Sequence, residues 1–140
     1  MTPKVKFSGG RNIAMKVPPH QFEATVRFYR DVLGFTEKSR EDASVCFAFG
    51  VNRLWIDRTP SASQAEIWLE VVTDDIHAAS AHLKSAGIVR CDEIEPLPEG
   101  MKAFWVSNPA SIVHLVSQGS DSGKPTDSFS MHRKRSTRFE

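Results

Sequence analysis

The stretch QFEATVRFYRDVLGF, residues 21–35, decides how this chain folds. Its apolar residues recur at intervals of three and four, which places them on one face of an amphipathic helix. These residues are Phe22, Val26, Tyr29 and Leu33. Gly34 follows directly, and glycine is the usual residue where a helix ends in left-handed geometry. The stretch therefore predicts a helix with one buried stripe that ends at Gly34.

Strand patterns flank this helix on both sides. The preceding sequence NIAMKV alternates, so that Asn12, Ala14 and Lys16 share one face and the apolar residues share the other, as in a half-buried strand. After the helix, SVCFAFGVNRLWID at residues 44–57 predicts a hairpin that turns near Gly50. The order is one strand, one helix and then several strands.

The same order occurs a second time. EIWLEV at residues 66–71 alternates like the first strand, and DDIHAASAHLKSAGI repeats the helical stripe with Asp74 or Asp75 as its cap. MKAFWVSNPASIVHLV predicts another hairpin. The opening strands start 54 residues apart, and the helix-ending glycines Gly34 and Gly87 lie 53 residues apart. The chain therefore uses one unit twice.

Composition and charge limit the classes of protein that this chain can be. Its 140 residues suit one domain, and 40% hydrophobic with 25% charged residues is typical of a soluble protein. The formal charge is +1, but residues 119–140 hold five Lys or Arg and three Asp or Glu, which leaves −1 for residues 1–118. The folded part therefore gives no electrostatic reason to expect nucleic acid as a partner.

The end of the chain differs from the rest. Residues 1–118 are predicted to be the folded domain and residues 119–140 a disordered basic tail, because the tail is rich in Ser, Gly, Pro and charge. Its basic cluster at 133–138 is a solvated segment or a contact for an anionic surface. Cys46 and Cys91 imply no disulfide framework, and no apolar stretch approaches the roughly 20 residues of a membrane span. We expect a cytoplasmic protein with no membrane contact.

A unit of strand, helix and strands covers one face of its small sheet with the helix and leaves the other face open. Two such faces can turn toward each other or toward a partner chain, and either arrangement encloses a cavity. Trp55 and Trp68 are predicted on these open faces, and Phe47 is placed there as well. Arg53 and Asp57 share the strand face of Trp55, and Glu66 and Glu70 share that of Trp68. The aromatic residues are core packing or the walls of a small-molecule pocket with polar anchors.

Three segments together resemble one known family. FYRDVLGF at 28–35, LKSAG at 83–87 and NPASIVHLV at 108–116 are similar to the vicinal oxygen chelate superfamily, the glyoxalase/bleomycin resistance/dioxygenase family. The resemblance covers about residues 11–117. It implies an α+β fold of paired βαβββ modules, about 11–58 and 65–117, that form an open, partly closed barrel around a cavity. It also implies a homodimer.

The resemblance locates the metal-ligand positions of the family in this sequence. Asn12 and Glu66 fall at the opening-strand positions, and Trp55 and His114 at the closing-strand positions. Tryptophan does not bind a metal, and Asn12 offers only a neutral amide oxygen. A catalytic site generally holds its ion through three protein ligands, and this set contains only two strong ones, Glu66 and His114. No metal is favoured, and the alternative is a divalent ion on Glu66, His114 and Asn12.

His114 has three possible roles. It is a cavity-wall imidazole hydrogen-bonded to Glu66, which offsets the burial of that carboxylate. As a second hypothesis, Glu66 and His114 form a catalytic acid/base pair, in which Glu66 removes a proton beside a carbonyl and His114 holds or relays the charge. Metal ligation is the third.

The resemblance implies a function as well as a fold. We expect the chain to bind a small organic molecule in the barrel cavity without an essential metal, as do family members that sequester an antibiotic or another toxic compound. Asn12, Phe47, Arg53, Trp55 and Trp68 are the expected ligand-binding residues. The alternative is a divalent-metal-dependent lyase, isomerase or dioxygenase, so whether the protein is an enzyme stays open. A regulatory role of the basic tail is a third class.

Overall fold

The structure is a computed structural model, and it describes residues 4–119. They form seven strands and two α-helices: β1 (Phe7–Val17), α1 (Pro19–Arg27), β2 (Glu37–Glu41), β3 (Ser44–Phe49), β4 (Asn52–Arg58), β5 (Glu66–Thr73), α2 (Ile76–Ser85), β6 (Ala103–Ser107) and β7 (Val113–Gln118). One π-helical turn, Phe28–Val32, extends α1. The tail predicted to be disordered lies, from residue 120 onward, outside the described residues.

The strands hydrogen-bond in the order β2-β3-β4-β1-β5-β7-β6. The β1–β4 and β5–β7 pairs are parallel, whereas β2–β3, β3–β4 and β6–β7 are antiparallel. Within the described residues the terminal strands of this order, β2 and β6, do not pair with each other, so the sheet is not closed. The mixed α+β fold that the resemblance implies is confirmed.

The described chain divides into two compact units. The first unit is residues 11–68, and the second unit is residues 4–10 together with residues 69–119. No helix among the described residues is long and apolar enough to cross a membrane.

In the first unit, α1 covers one face of its strands. Phe22 and Val26 of the predicted stripe are buried, and Tyr29 packs against the same cluster. The cluster contains Val17, Phe22, Val26, Val45, Phe47, Leu54 and Ile56. Leu33 was predicted on this stripe but is 46% exposed, because the wider π-helical turn before it changes the angular spacing of the residues that follow. Gly34 has the left-handed φ of 73° that ends the helix as predicted.

In the second unit, α2 is capped as the sequence predicts. The Asp75 side chain accepts hydrogen bonds from the backbone N–H groups of His77 and Ala78, and Gly87 ends the segment with a φ of 83°. The buried cluster below the helix contains Ile76, Ala79, Phe104, Val106 and Val116. Two strands follow α2 in this unit instead of three, and an isolated bridge between Arg90 and Val106 takes the place of the third.

Candidate functional site

The face of the first unit opposite α1 is polar and mostly buried, with Glu66 exposed at its edge. Ile13 and Met15 of β1 pack toward the α1 cluster, so the alternating residues Asn12, Ala14 and Lys16 point the other way. These three are 1%, 0% and 3% exposed. We call the residues gathered here the polar face: Asn12, Lys16, Ser44, Arg53, Trp55, Asp57, Glu66 and Trp68.

The parallel register of β1 and β4 brings the polar side chains of this face side by side. Asn12 pairs with Arg53, Ala14 with Trp55, and Lys16 with Asp57. Partners in a parallel register point to the same face of the sheet. The register therefore places a lysine and an aspartate next to each other in the interior.

Lys16 and Asp57 form a buried ion pair. Lys16 Nζ lies 2.8 Å from Asp57 Oδ2, and the two side chains are only 3% and 7% exposed. The hydroxyl of Ser44 donates to the second oxygen, Asp57 Oδ1, at 2.6 Å. Removing two charges from water costs several kcal/mol per ion, and good geometry with additional hydrogen bonds is needed to offset this cost. Ser44 supplies one such hydrogen bond.

Two indoles complete the polar face, and both donate their N–H groups to side-chain oxygens. Trp55 Nε1 donates to Asn12 Oδ1 at 2.9 Å, and Trp68 Nε1 donates to Glu66 Oε1 at 2.9 Å. The Lys16 ammonium lies 4.3 Å from the centroid of the Trp68 ring, within the range of a cation–π interaction. Both rings are thus held in defined orientations, and the Trp68 ring faces a fixed positive charge.

Four of the five predicted ligand-binding residues lie on the polar face, and one does not. Asn12, Arg53, Trp55 and Trp68 belong to the polar face, as the sequence indicates. Phe47 does not: it is fully buried in the α1 cluster. Phe47 pairs with Leu54 in the β3–β4 register, and its neighbour Cys46 takes the opposite face because side chains alternate along a strand. The placement of Phe47 at an open face is therefore corrected.

His114 also lies on another face than expected. In the register it pairs with Leu69 and Val106, so it faces the α2 side, and its Nδ1 is 3.0 Å from the carbonyl oxygen of Ile112. Glu66 is three positions from Leu69 on β5 and points to the opposite face. The proposed hydrogen bond between Glu66 and His114 requires a shared face, and strand alternation does not provide one. A catalytic role for either residue stays a prediction.

The donors of the polar face do not fit the divalent metal that the resemblance implies. Asn12 Oδ1 accepts from Trp55, and Glu66 Oε1 accepts from Trp68. Asp57 is held by the ammonium of Lys16, which would repel a bound cation. Within residues 4–119, no three His, Cys, Asp or Glu side chains are grouped so that they could hold a metal ion.

Neither cysteine is arranged as a nucleophile. Cys46 is completely buried and Cys91 is partly buried, and within residues 4–119 neither forms a disulfide. Burial raises the pKa of the Cys91 thiol, and the nearby carboxylates of Glu93 and Asp92 raise it further. Because the thiolate is the reactive form, this environment lowers the reactivity of Cys91.

The sequence reasoning missed a close approach in the second unit. Glu70 is only 4% exposed, and one of its oxygens accepts a hydrogen bond of 3.4 Å from the Ser117 hydroxyl. A Cβ atom at position 10 would overlap the Glu70 carboxyl group, so any larger residue there requires the Glu70 side chain to shift. The alternation of EIWLEV contained the signal, because it puts Glu70 on the face of Trp68.

Comparisons with solved structures support the fold. The Mn(II)-bound glyoxalase from Novosphingobium aromaticivorans matches with a TM-score of 0.63 and 20% identity, over 89% of this chain and 43% of that one. Methylmalonyl-CoA epimerase from Mycobacterium tuberculosis matches with a TM-score of 0.55 and 13% identity, over 93% of this chain and 96% of that one. At such identities the likeness shows the fold alone.

A third similar structure is a variant of homoprotocatechuate 2,3-dioxygenase from B. fuscum, with a TM-score of 0.59 and 15% identity. The match covers 94% of this chain and 37% of the dioxygenase chain, so this chain spans well under half of that protein and of the glyoxalase. A search of curated protein sequences found no match. The family model for the glyoxalase-like domain matches residues 13–109. The chain therefore belongs to the glyoxalase-like domain family, within the vicinal oxygen chelate superfamily.

Proposed function

We propose that this protein binds a small organic molecule at the polar face and needs no metal to do so. The observation that carries the proposal is the buried Lys16–Asp57 pair, with side chains 3% and 7% exposed. Replacing a buried ion pair by apolar residues is often neutral or stabilising, so stability alone is a weak reason to keep one. Recognition of a polar ligand accounts for its presence.

The chemistry of the polar face indicates the class of ligand. Trp55 and Trp68 offer flat apolar rings, and Lys16 and Arg53 offer positive charge on the same face. Small-molecule sites combine mostly apolar walls with a few placed polar groups. We therefore propose an aromatic or conjugated molecule with a carboxylate or carbonyl oxygen, whose ring contacts the indoles and whose oxygen accepts from Lys16 or Arg53.

A metal-dependent lyase, isomerase or dioxygenase is the second candidate. Family membership supports it, because similar structures include a Mn(II)-bound glyoxalase and a dioxygenase. The hydrogen bonds that hold Asn12 and Glu66 weigh against it. A divalent ion on these side chains would have to share their oxygens with the indole N–H donors, close to the positive charge of Lys16.

Thermal melting separates the two candidates. The protein is melted alone, with manganese, nickel, zinc or iron, with a chelator, and with a panel of aromatic carboxylic acids. We expect at least one aromatic acid to raise the melting temperature, while the ions and the chelator leave it unchanged. A stoichiometric metal in the purified protein, whose removal lowers the melting temperature, would contradict the proposal and support the metal-dependent enzyme.

Matched tryptophan variants then locate the site. Trp68→Phe should weaken the best acid by roughly 1 kcal/mol, because it loses the indole N–H and part of the ring that faces Lys16. Trp105→Phe is the control, because Trp105 is also buried but donates its N–H to the Glu95 carbonyl oxygen in the second unit. Equal affinities of the two variants in isothermal titration would place the ligand elsewhere.

We also propose a homodimer, as the family resemblance implies. Light scattering after size-exclusion chromatography should give twice the mass of one chain. A monomer at micromolar concentration would remove this part of the proposal. The cytoplasmic location stays a prediction from the sequence.

A further inference from the structure

The second unit contains a cavity of about 340 Å³, lined by residues of α2, β5, β6 and β7. Most of its wall is apolar and comes from Val71, Leu83, Ile88, Val106 and Val116. Pockets that hold small molecules typically have volumes of ~300–1,000 Å³. The cavity shares no residue with the polar face, so it is a separate candidate site.

One side chain of this wall offers an unused hydrogen-bond acceptor. His114 Nδ1 lies 3.0 Å from the Ile112 carbonyl oxygen. A carbonyl oxygen only accepts, so Nδ1 must carry the proton, and Nε2 of the neutral ring then presents a lone pair. Within residues 4–119, His114 Nε2 has no hydrogen-bond partner.

Other polar groups of the wall are engaged in the turn between β6 and β7. Asn108 Oδ1 accepts from the backbone N–H groups of Ala110 and Ile112 at 2.8 Å and 2.9 Å. The Ser107 hydroxyl donates to the Asn108 carbonyl oxygen. These bonds stabilise the turn. Two imidazole rings line the cavity, those of His114 and His82, and His82 lies at its edge beside Phe7, so His114 Nε2 is the acceptor next to the aliphatic part of the wall.

Two rings lie at the edge of the cavity. The centroids of Phe7 and His82 are 5.9 Å apart with an interplanar angle of 41°, and both residues are largely exposed. Both also contribute to the lining. An aromatic guest can therefore contact ring faces or edges at the opening and aliphatic side chains deeper inside.

We propose that this cavity binds a small aromatic alcohol of the phenol or naphthol class. The ring fills the apolar volume, and the hydroxyl group donates to His114 Nε2. The site lies outside the polar face and is independent of the proposed function, so either assignment can fail while the other stands.

The test uses the full chain with 2-naphthol and naphthalene, which differ only by the hydroxyl group. We expect 2-naphthol to shift the backbone NMR signals of α2 and β7, and to bind about fivefold more tightly than naphthalene, since one neutral hydrogen bond is worth about that factor. In His114→Leu the ratio should fall to about one, with the affinity for naphthalene retained. His77→Leu is the control, because His77 is on the same helix but outside this lining, and it should keep the fivefold ratio.

A cavity-filling variant tests the location. Leu83→Trp should weaken both probes at least tenfold, because the larger side chain occupies the volume. If the melting temperature of Leu83→Trp falls strongly, Ile88→Trp fills the same volume from outside the helix. Failure of both probes to bind up to their solubility limits would overturn the proposal, as would unchanged binding in a folded, filled variant. Equal affinities of the two probes for the unaltered protein would overturn the assignment to aromatic alcohols.

Discussion

In the first unit, α1 packs into a cluster of seven buried residues that includes Phe22 and Phe47. In the second unit, α2 packs into a cluster of five, to which the helix contributes Ile76 and Ala79, and a cavity of about 340 Å³ is lined by residues of this unit. Both units place one strand before the helix and further strands after it, but three strands follow the helix in the first unit and two in the second, and the buried cluster of the second unit is smaller.

The opposite faces differ as well. The first unit buries a complete ion pair, Lys16 with Asp57, whereas the second unit buries the carboxylate of Glu70 beside the Ser117 hydroxyl. The repeat therefore preserves the sequence of strand, helix and strands, but the two units do not bury the same polar side chains. Two units with the same fold can carry different sites, because the fold determines which faces are buried and not which side chains occupy them.

The largest expected effect comes from breaking the ion pair of the first unit. Lys16→Met removes the ammonium that pairs with Asp57, and we expect the free energy of unfolding to fall by ~3–5 kcal/mol. Urea denaturation measures the change. Lys38→Met, at an exposed position of β2, is the control and should change stability by less than ~0.5 kcal/mol. Similar losses in the two variants would contradict the prediction, because breaking the Lys16–Asp57 pair would then cost no more stability than replacing an exposed lysine.

The corresponding change in the second unit is Gly10→Ala. The added methyl group would overlap the Glu70 carboxyl group, so we expect a loss of ~1–3 kcal/mol from overpacking. Gly9→Ala is a matched control one residue earlier, because a Cβ atom there meets nothing within 4 Å. If both variants unfold at the same urea concentration, Glu70 can move away from β1 at little cost.

A smaller difference concerns how the two helices begin. Asp75 caps α2, whereas α1 begins after Pro18 with no side-chain hydrogen bond to its cap. Asp75→Ala should destabilise the protein by ~1 kcal/mol, and Asp75→Asn should retain most of the stability because asparagine also caps well. Thermal or urea unfolding distinguishes the two variants. A full loss in Asp75→Asn would mean that the charge matters more than the hydrogen bonds.

The smallest expected effect compares the two hairpin turns. Gly50 in the turn of the first unit has a φ of 63°, and Ser111 in the turn of the second unit has a φ of 66°. Residues other than glycine are strained in this left-handed region. Ser111→Gly should therefore raise the free energy of unfolding by ~0.5–1 kcal/mol, and Gly50→Ser should lower it by a similar amount. A destabilised Ser111→Gly would indicate that the serine side chain contributes to the turn.

Local patterns predicted much of this fold. The stripe of Phe22 and Val26, the helix ends at Gly34 and Gly87, and the hairpin near Gly50 all follow from residues close in sequence, and the structure has each of them. Leu33 was misplaced because the π-helical turn Phe28–Val32 has no signature in an amphipathic pattern. The order of the elements and the turns between them depend on residues that are close in sequence, so local sequence patterns can predict them.

The candidate site was predicted less completely. Trp55 and Trp68 were placed on the polar face correctly, but Phe47 and His114 were assigned to the wrong faces of their strands. A strand changes face at every residue, so an error of one position in the alignment of a motif reverses the direction of a side chain. The metal-ligand positions implied by the resemblance are sensitive to the same error.

The sequence by itself determined the repeated pattern of strand and helix, the order of these elements, a cap for α2 at Asp74 or Asp75 and the glycine-dependent ends. These features depend on periodicity and on backbone conformations that few residues tolerate. Only the tertiary structure decided that Lys16 is buried against Asp57, 41 residues away, and that His114 faces the cavity beside α2. The reason is that burial and pairing arise from contacts between distant residues, which depend on strand register and not on local pattern.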